Sequence, residues 1–102
     1  MNIAWTTTES FEQARCLSRL AIEMQLAACS QISGPITSIY AWDGKIEESQ
    51  EYRVTLKTKK GNLENLRRLI VENHPYKTPQ WVAADLTDVD EAYRSWAEGR
   101  NS

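Results

Sequence analysis

The pair Asp43-Gly44, set between two extended runs at residues 28–42 and 45–59, constrains this chain more than any other feature. Asp and Gly both tolerate positive φ, which a two-residue hairpin loop needs if its twist is to match that of its strands. Taken as that loop, the pair sets Trp42 opposite Lys45, Tyr40 opposite Glu47 and Ser38 opposite Ser49. Register then fixes faces, because side chains alternate along a strand. Tyr52, Val54 and Leu56 alternate with Glu51, Arg53, Thr55 and Lys57, so the apolar set marks the side that helices cover. Parity gives Thr37, Ile39 and Ala41 to the covered side and sends Ile36, Tyr40 and Trp42 to the opposite one.

An Ile, a Tyr and a Trp aligned on an open strand face expose on the order of 300 Å² of apolar surface, comparable to the largest patches tolerated on monomers. Packing of the hairpins between copies of the chain covers that surface and hides a long strand edge. The expectation is an obligate homo-oligomer with Ile36, Tyr40 and Trp42 at its interface. The alternative is scattered surface aromatics, or a bulge at Gly34-Pro35 that moves them to the other side.

Spacing supplies the flanking elements. Residues 2–7 read as a short strand, and Ser10 with Gln13 forms a capping signal for a helix over 10–25 whose stripe is Phe11, Ala14, Leu17, Ala21 and Met24. Asn62 caps a second helix with stripe Leu63, Leu66, Leu69 and Ile70, which Pro75 stops near Asn73-His74. Residues 81–86 read as a fourth strand. Asp88 with Glu91 opens a last helix carrying Ala92, Tyr93 and Trp96, with Gly99 at its stop. The order β-α-β-β-α-β plus a terminal helix, on an antiparallel sheet with helices on one face, is an α+β ferredoxin-like sandwich. With 102 residues it forms one domain, 1–102.

Charge and cysteine content narrow the function. Twelve basic residues against fourteen acidic ones give a net charge of −2, so no positive field gathers nucleic acid. No run approaches the ~18 apolar residues of a membrane span, and the amino terminus carries no targeting pattern. Cys16 and Cys29, with His74 the lone imidazole, make neither a disulfide framework nor a four-ligand zinc module, which points to the reducing cytoplasm. His74 reads either as a backbone-bonded helix-end histidine or as a metal ligand or proton-transfer group. Cys29 reads as a core thiol or as a ligand, and Lys57, Lys59 and Lys60 as a solvated strand end or an anion site.

Taken together, several motifs resemble the CutA family, the divalent-cation tolerance proteins. They are L-A-A-C at 26–29, G-P-I-T-S-I-Y-A-W-D-G at 34–44, K-I-E-E at 45–48, L-K-T at 56–58, N-H-P-Y-K-T-P at 73–79, and Tyr93 with Trp96. The resemblance implies a trimer closed through long hairpins, similar in architecture to the PII signalling proteins. It implies a cytoplasmic role in tolerance to copper and other divalent cations, weak or transient metal binding, no required cofactor and no enzymatic activity. The family's proposed ligands, a first-strand thiol and a histidine pair, correspond to Thr6 and Asn73-His74, leaving His74 as the metal ligand. Lys77 and Trp81 stand where acidic residues are common in the family. The resemblance also implies an intersubunit cleft bordered by Cys29, Trp42, Glu48, Lys57, His74 and Tyr76. Two further readings follow: a PII-like module that binds a small anion or a partner loop there through Lys57 and His74, and a purely structural trimer.

Overall fold

A computed structural model describes residues 1–100; residues 101 and 102, the end of the expected domain, lie outside the described residues. Strand β1 (Asn2–Thr8) leads through helix α1 (Phe11–Glu23) to the hairpin strands β2 (Cys29–Trp42) and β3 (Lys45–Thr58). A 3-10 turn (Lys60–Asn62), helix α2 (Leu63–Asn73), strand β4 (Val82–Asp85) and helix α3 (Glu91–Arg100) complete the chain. The sheet is antiparallel, ordered β2-β3-β1-β4, and the fold is the expected ferredoxin-like sandwich.

Local chemistry sets most boundaries. Ser10 Oγ accepts the Gln13 N–H at 3.1 Å while Gln13 Oε1 accepts the Ser10 N–H at 3.2 Å, closing the capping box that starts α1. That helix ends in a Schellman motif: the Leu26 N–H reaches Ala21 O and the Gln25 N–H reaches Ile22 O, both at 3.0 Å. Gln25 pays for this with φ +59, a position that favours glycine. Asn62 precedes α2 but makes no side-chain cap to it; its Nδ2 donates to Gln25 O at 3.5 Å, tying the two helices' ends together. At α3 the cap is Asp90, not Asp88: its Oδ2 accepts the Ala92 N–H at 3.2 Å. Gly99 lies inside that helix instead of ending it.

Helices α1 and α2 cover one face of the sheet. Small residues Ala4, Ala14, Ala21 and Ala27 let α1 approach the sheet closely, and Leu17, Val54, Leu56, Leu66 and Ile70 fill the rest of the core. Phe11 and Met24, expected in the stripe, are exposed; Phe11 meets Tyr52 edge-on at 6.0 Å and Met24 is the helix cap. Threonines buried on the same face of β1 and β3 are paired, as burial demands: Thr8 Oγ1 donates to Ser10 O at 2.8 Å and Thr58 Oγ1 to Leu26 O at 2.7 Å.

The hairpin has the expected register, Trp42 opposite Lys45, with Asp43 (φ +52) and Gly44 (φ +76) in its turn. Between Ser33 and Ile36 the pairing shifts by one residue, a bulge at Gly34-Pro35. Below it Ile32 pairs with Val54 on the core side; above it Ile36 pairs with Glu51, so Ile36, Tyr40 and Trp42 turn to the opposite face. The expectation that helices cover Ile39 and Ala41 fails. The hairpin runs past the end of the helical layer, and Ile39 and Ile46 are 66% and 78% exposed. The molecule is accordingly elongated, 45 × 25 × 21 Å.

Candidate functional site

The turn after α2 places His74 against β1. Pro75 stops the helix, and the following turn brings the Tyr76 N–H to His74 Nδ1 at 3.1 Å. A backbone N–H only donates, so Nδ1 is the unprotonated nitrogen and Nε2 carries the hydrogen. The Nε2–H then donates to the Thr7 carbonyl at 2.9 Å, with Thr6 Oγ1 at 3.0 Å as a second acceptor. Burial pushes the His74 pKa below 6.5, outweighing the Thr7 carbonyl and the Glu51 charge, which favour the cation. His74 is thus a neutral imidazole stapling the 74–76 turn to β1, with both ring nitrogens engaged. Among the described residues, no three His, Cys, Asp or Glu side chains converge to hold a metal ion.

On the face opposite the core, the segment after that turn walls an open groove of about 1080 Å³ that runs along the outer half of the hairpin, beyond the bulge. Tyr40, Trp42 and Tyr76 supply its aromatic surface, and Glu9, Glu47 and Glu51 its carboxylates. Tyr76 packs against His74 with ring centroids 4.9 Å apart and donates its hydroxyl hydrogen to Glu51 Oε2 at 2.9 Å. Burial, that hydrogen bond and the charges of Glu51 and Glu9 raise the Tyr76 pKa well above the ordinary phenol value.

The expected cleft residues fall into separate places within one chain. His74, Tyr76 and Trp42 belong to the groove and its wall. Cys29 and Lys57 pair across β2 and β3 at the other end of the sheet. There Tyr93 of α3 lies 3.4 Å from Cys29 Sγ, and Lys57 Nζ stands 5.9 Å from the Tyr93 ring while donating to Gln31 Oε1 at 3.1 Å. The Cys29 contact, helped by burial, pushes the Tyr93 pKa up to about 12. Cys29 is therefore a half-buried thiol under α3 and not a member of the α1/α2 core. This contact also puts α3 on the far side of the sheet from α1 and α2. Lys57 and His74 do not meet in one chain, so the two-residue anion site is not formed there. Glu48 pairs with Ile39 on the side away from Tyr40 and Trp42.

Glu9, Glu47 and Glu51 were the residues missed by sequence reasoning. The hairpin register already put Glu47 opposite Tyr40, so its face was legible. Glu51 shares that face by the same parity, whereas Glu9 joins only because the 74–80 segment folds back over the sheet, a long-range event that no local pattern signals.

Comparison with known proteins adds an independent line. The family described as CutA1 divalent ion tolerance protein matches residues 2–100. The divalent-cation tolerance protein CutA of Pyrococcus horikoshii is 35% identical over 96 residues, spanning 94% of this chain and 93% of that protein. The crystal structure of the divalent ion tolerance protein CutA1 from Ehrlichia chaffeensis superposes with a TM-score of 0.96 at 30% identity, over 99% of this chain and 94% of the other. The structure of the periplasmic divalent cation tolerance protein CutA from Archaeoglobus fulgidus gives a TM-score of 0.94 at 29% identity over 99% of this chain and 98% of the other.

Proposed function

The chain belongs to the CutA1 divalent ion tolerance family, and we propose that it serves divalent-cation tolerance as a cytoplasmic homotrimer whose contact with copper is weak and transient. One observation carries the assembly: the arm of the hairpin leaves Trp42 67%, Ile39 66% and Ile46 78% exposed, on both of its faces, beyond the reach of the chain's own helices. Clasping of the arms between copies covers both faces at once, which no single added layer does. Two unpaired cysteines suit a reducing compartment.

The chemistry of His74 supports weak metal contact. A cation taking Nδ1 displaces the Tyr76 N–H and gains one imidazole, without a second His or Cys beside it. Affinity is then low and exchange fast, which suits a protein that buffers or responds to cations instead of turning over a substrate. The groove supports a second reading, in which the neighbouring arm roofs it into a lateral cleft that holds a small ligand.

Light scattering at micromolar subunit concentration is expected to give a particle of three times 11.7 kDa. A folded 11.7 kDa particle refutes the assembly. Calorimetric titration with copper(II) is expected to show weak heats that His74→Ala abolishes; identical isotherms for the two proteins remove His74 as the ligand.

A further inference from the structure

We propose that Tyr76 latches the His74 metal contact shut, and that Glu51 sets the strength of the latch by holding the Tyr76 phenol. The inference deepens the metal reading above and rests on it.

Tyr76 is tied at both of its ends. Its backbone N–H occupies His74 Nδ1 at 3.1 Å, and its phenol donates to Glu51 Oε2 at 2.9 Å while its ring lies 4.9 Å from the imidazole. A cation bound to an imidazole nitrogen lies about 2 Å from it. That is well inside the distance at which the Tyr76 nitrogen now sits, so amide and cation exclude each other. The imidazole has no other lone pair to offer. Its Nε2 carries the hydrogen that goes to Thr7 O at 2.9 Å, with Thr6 Oγ1 at 3.0 Å, and these contacts hold the ring in its orientation against β1. Opening therefore falls to residue 76.

Moving that amide is not a local event. The ring of Pro75 locks its φ, which removes one of the torsions that could swing the Tyr76 N–H aside on its own. Amide and side chain then leave together, and the phenol must release a carboxylate on β3 that pairs opposite Ile36, just beyond the bulge. A hydrogen bond to a carboxylate stabilises more than a neutral one, and the closed state holds that advantage against an incoming cation. All of these contacts lie within one chain, so the latch does not depend on which surfaces a neighbouring copy covers. Tyr76 and Glu51 are thus positioning residues that act through His74, and the low affinity comes from the latch as well as from the single imidazole.

The first readout uses no metal. Hydrogen exchange of the residue-76 amide, followed by NMR on the full chain in its native assembly, is expected to speed up roughly tenfold in Tyr76→Phe, which keeps the ring against His74 and loses only the phenol hydrogen bond. Glu51→Gln keeps an acceptor without its charge; it is expected to speed the same amide by less, and serves if Tyr76→Phe does not fold. The second readout is calorimetric titration with copper(II). Tyr76→Phe is expected to bind roughly tenfold more tightly than the parent chain, and Tyr76→Phe/His74→Ala to lose that binding. Exchange at residue 76 that neither variant moves overturns the proposal, as does a copper affinity that Tyr76→Phe lowers. Binding that His74→Ala abolishes and Tyr76→Phe leaves unchanged overturns the latch alone, whereas isotherms that His74→Ala does not alter overturn the metal reading and the latch with it.

Discussion

Replacing Gly34 with alanine tests whether the hairpin bulge is packed as described. A Cβ on Gly34 would stand 2.7 Å from Tyr52 Cδ2, 3.0 Å from the Glu51 carbonyl oxygen and 3.2 Å from Tyr52 Cα. The Tyr52 ring has little room to retreat, because it meets Phe11 edge-on and packs against the core. The Glu51 carbonyl is strand backbone. Gly34 also sits at φ +150, where an L side chain adds about 1–3 kcal/mol of backbone strain. Crowding of this kind costs a further 1–3 kcal/mol or so. The expected loss is therefore at least about 2 kcal/mol, read by urea denaturation at fixed subunit concentration because assembly couples to stability. Gly44→Ala is the control: φ is +76 but nothing lies within 4 Å of the new Cβ, so strain acts alone and costs about 1 kcal/mol. If Gly34→Ala costs no more than Gly44→Ala, the close approach of β2 to Tyr52 is wrong and the bulge is a loose connection.

The other expectations concern the helix ends and the lone histidine. Gln25→Gly relieves a positive φ at the end of α1 while keeping both Schellman hydrogen bonds, and is expected to raise stability by about 0.5–1 kcal/mol in thermal unfolding. Any destabilisation would show that the Gln25 side chain matters more than its backbone angle. Ser10→Ala removes one half of a capping box and is expected to cost about 1 kcal/mol. The folded-state pKa of His74 lies below 6.5, so the unfolded chain takes up its proton more readily. Its contribution to stability is complete above pH 6.5 and is lost as pH falls from there toward the lowered value. Denaturation at pH 7.5 and pH 5 is expected to show a smaller decline for His74→Gln than for the parent chain, and equal declines would place the acid sensitivity elsewhere.

How far the sequence could be read depended on how local the cause was. The hairpin register came from two residues whose backbone preferences leave little choice, and Ser10 with Gln13 carried the whole start of α1 in four positions. Asn62 looked equally good as a cap, but a 3-10 turn precedes α2 and its amide turns to Gln25 O. Asp88 and Asp90 compete within three residues for one helix start, and composition does not choose between them. The stripe of α3 says that Tyr93 is inward, yet nothing in it says which side of the sheet is inward. Its partners Cys29 and Lys57 are 64 and 36 positions earlier in the chain. The groove was half legible for the same reason: Tyr40, Trp42 and Glu47 follow from strand parity, while Glu9 and Tyr76 depend on the path of the segment after α2.

The bulge also makes the length of the hairpin arm a quantised property. Each strand above Gly34-Pro35 presents its side chains in strict alternation, so inserting one residue in each strand there would swap the tip's two faces, sending Tyr40 and Trp42 to the side of Ile39 and Ala41. Growth by two residues per strand leaves every side chain on its own side. An arm of this design can be lengthened only in even steps, and its reach around a neighbour changes in units of about 6.6 Å.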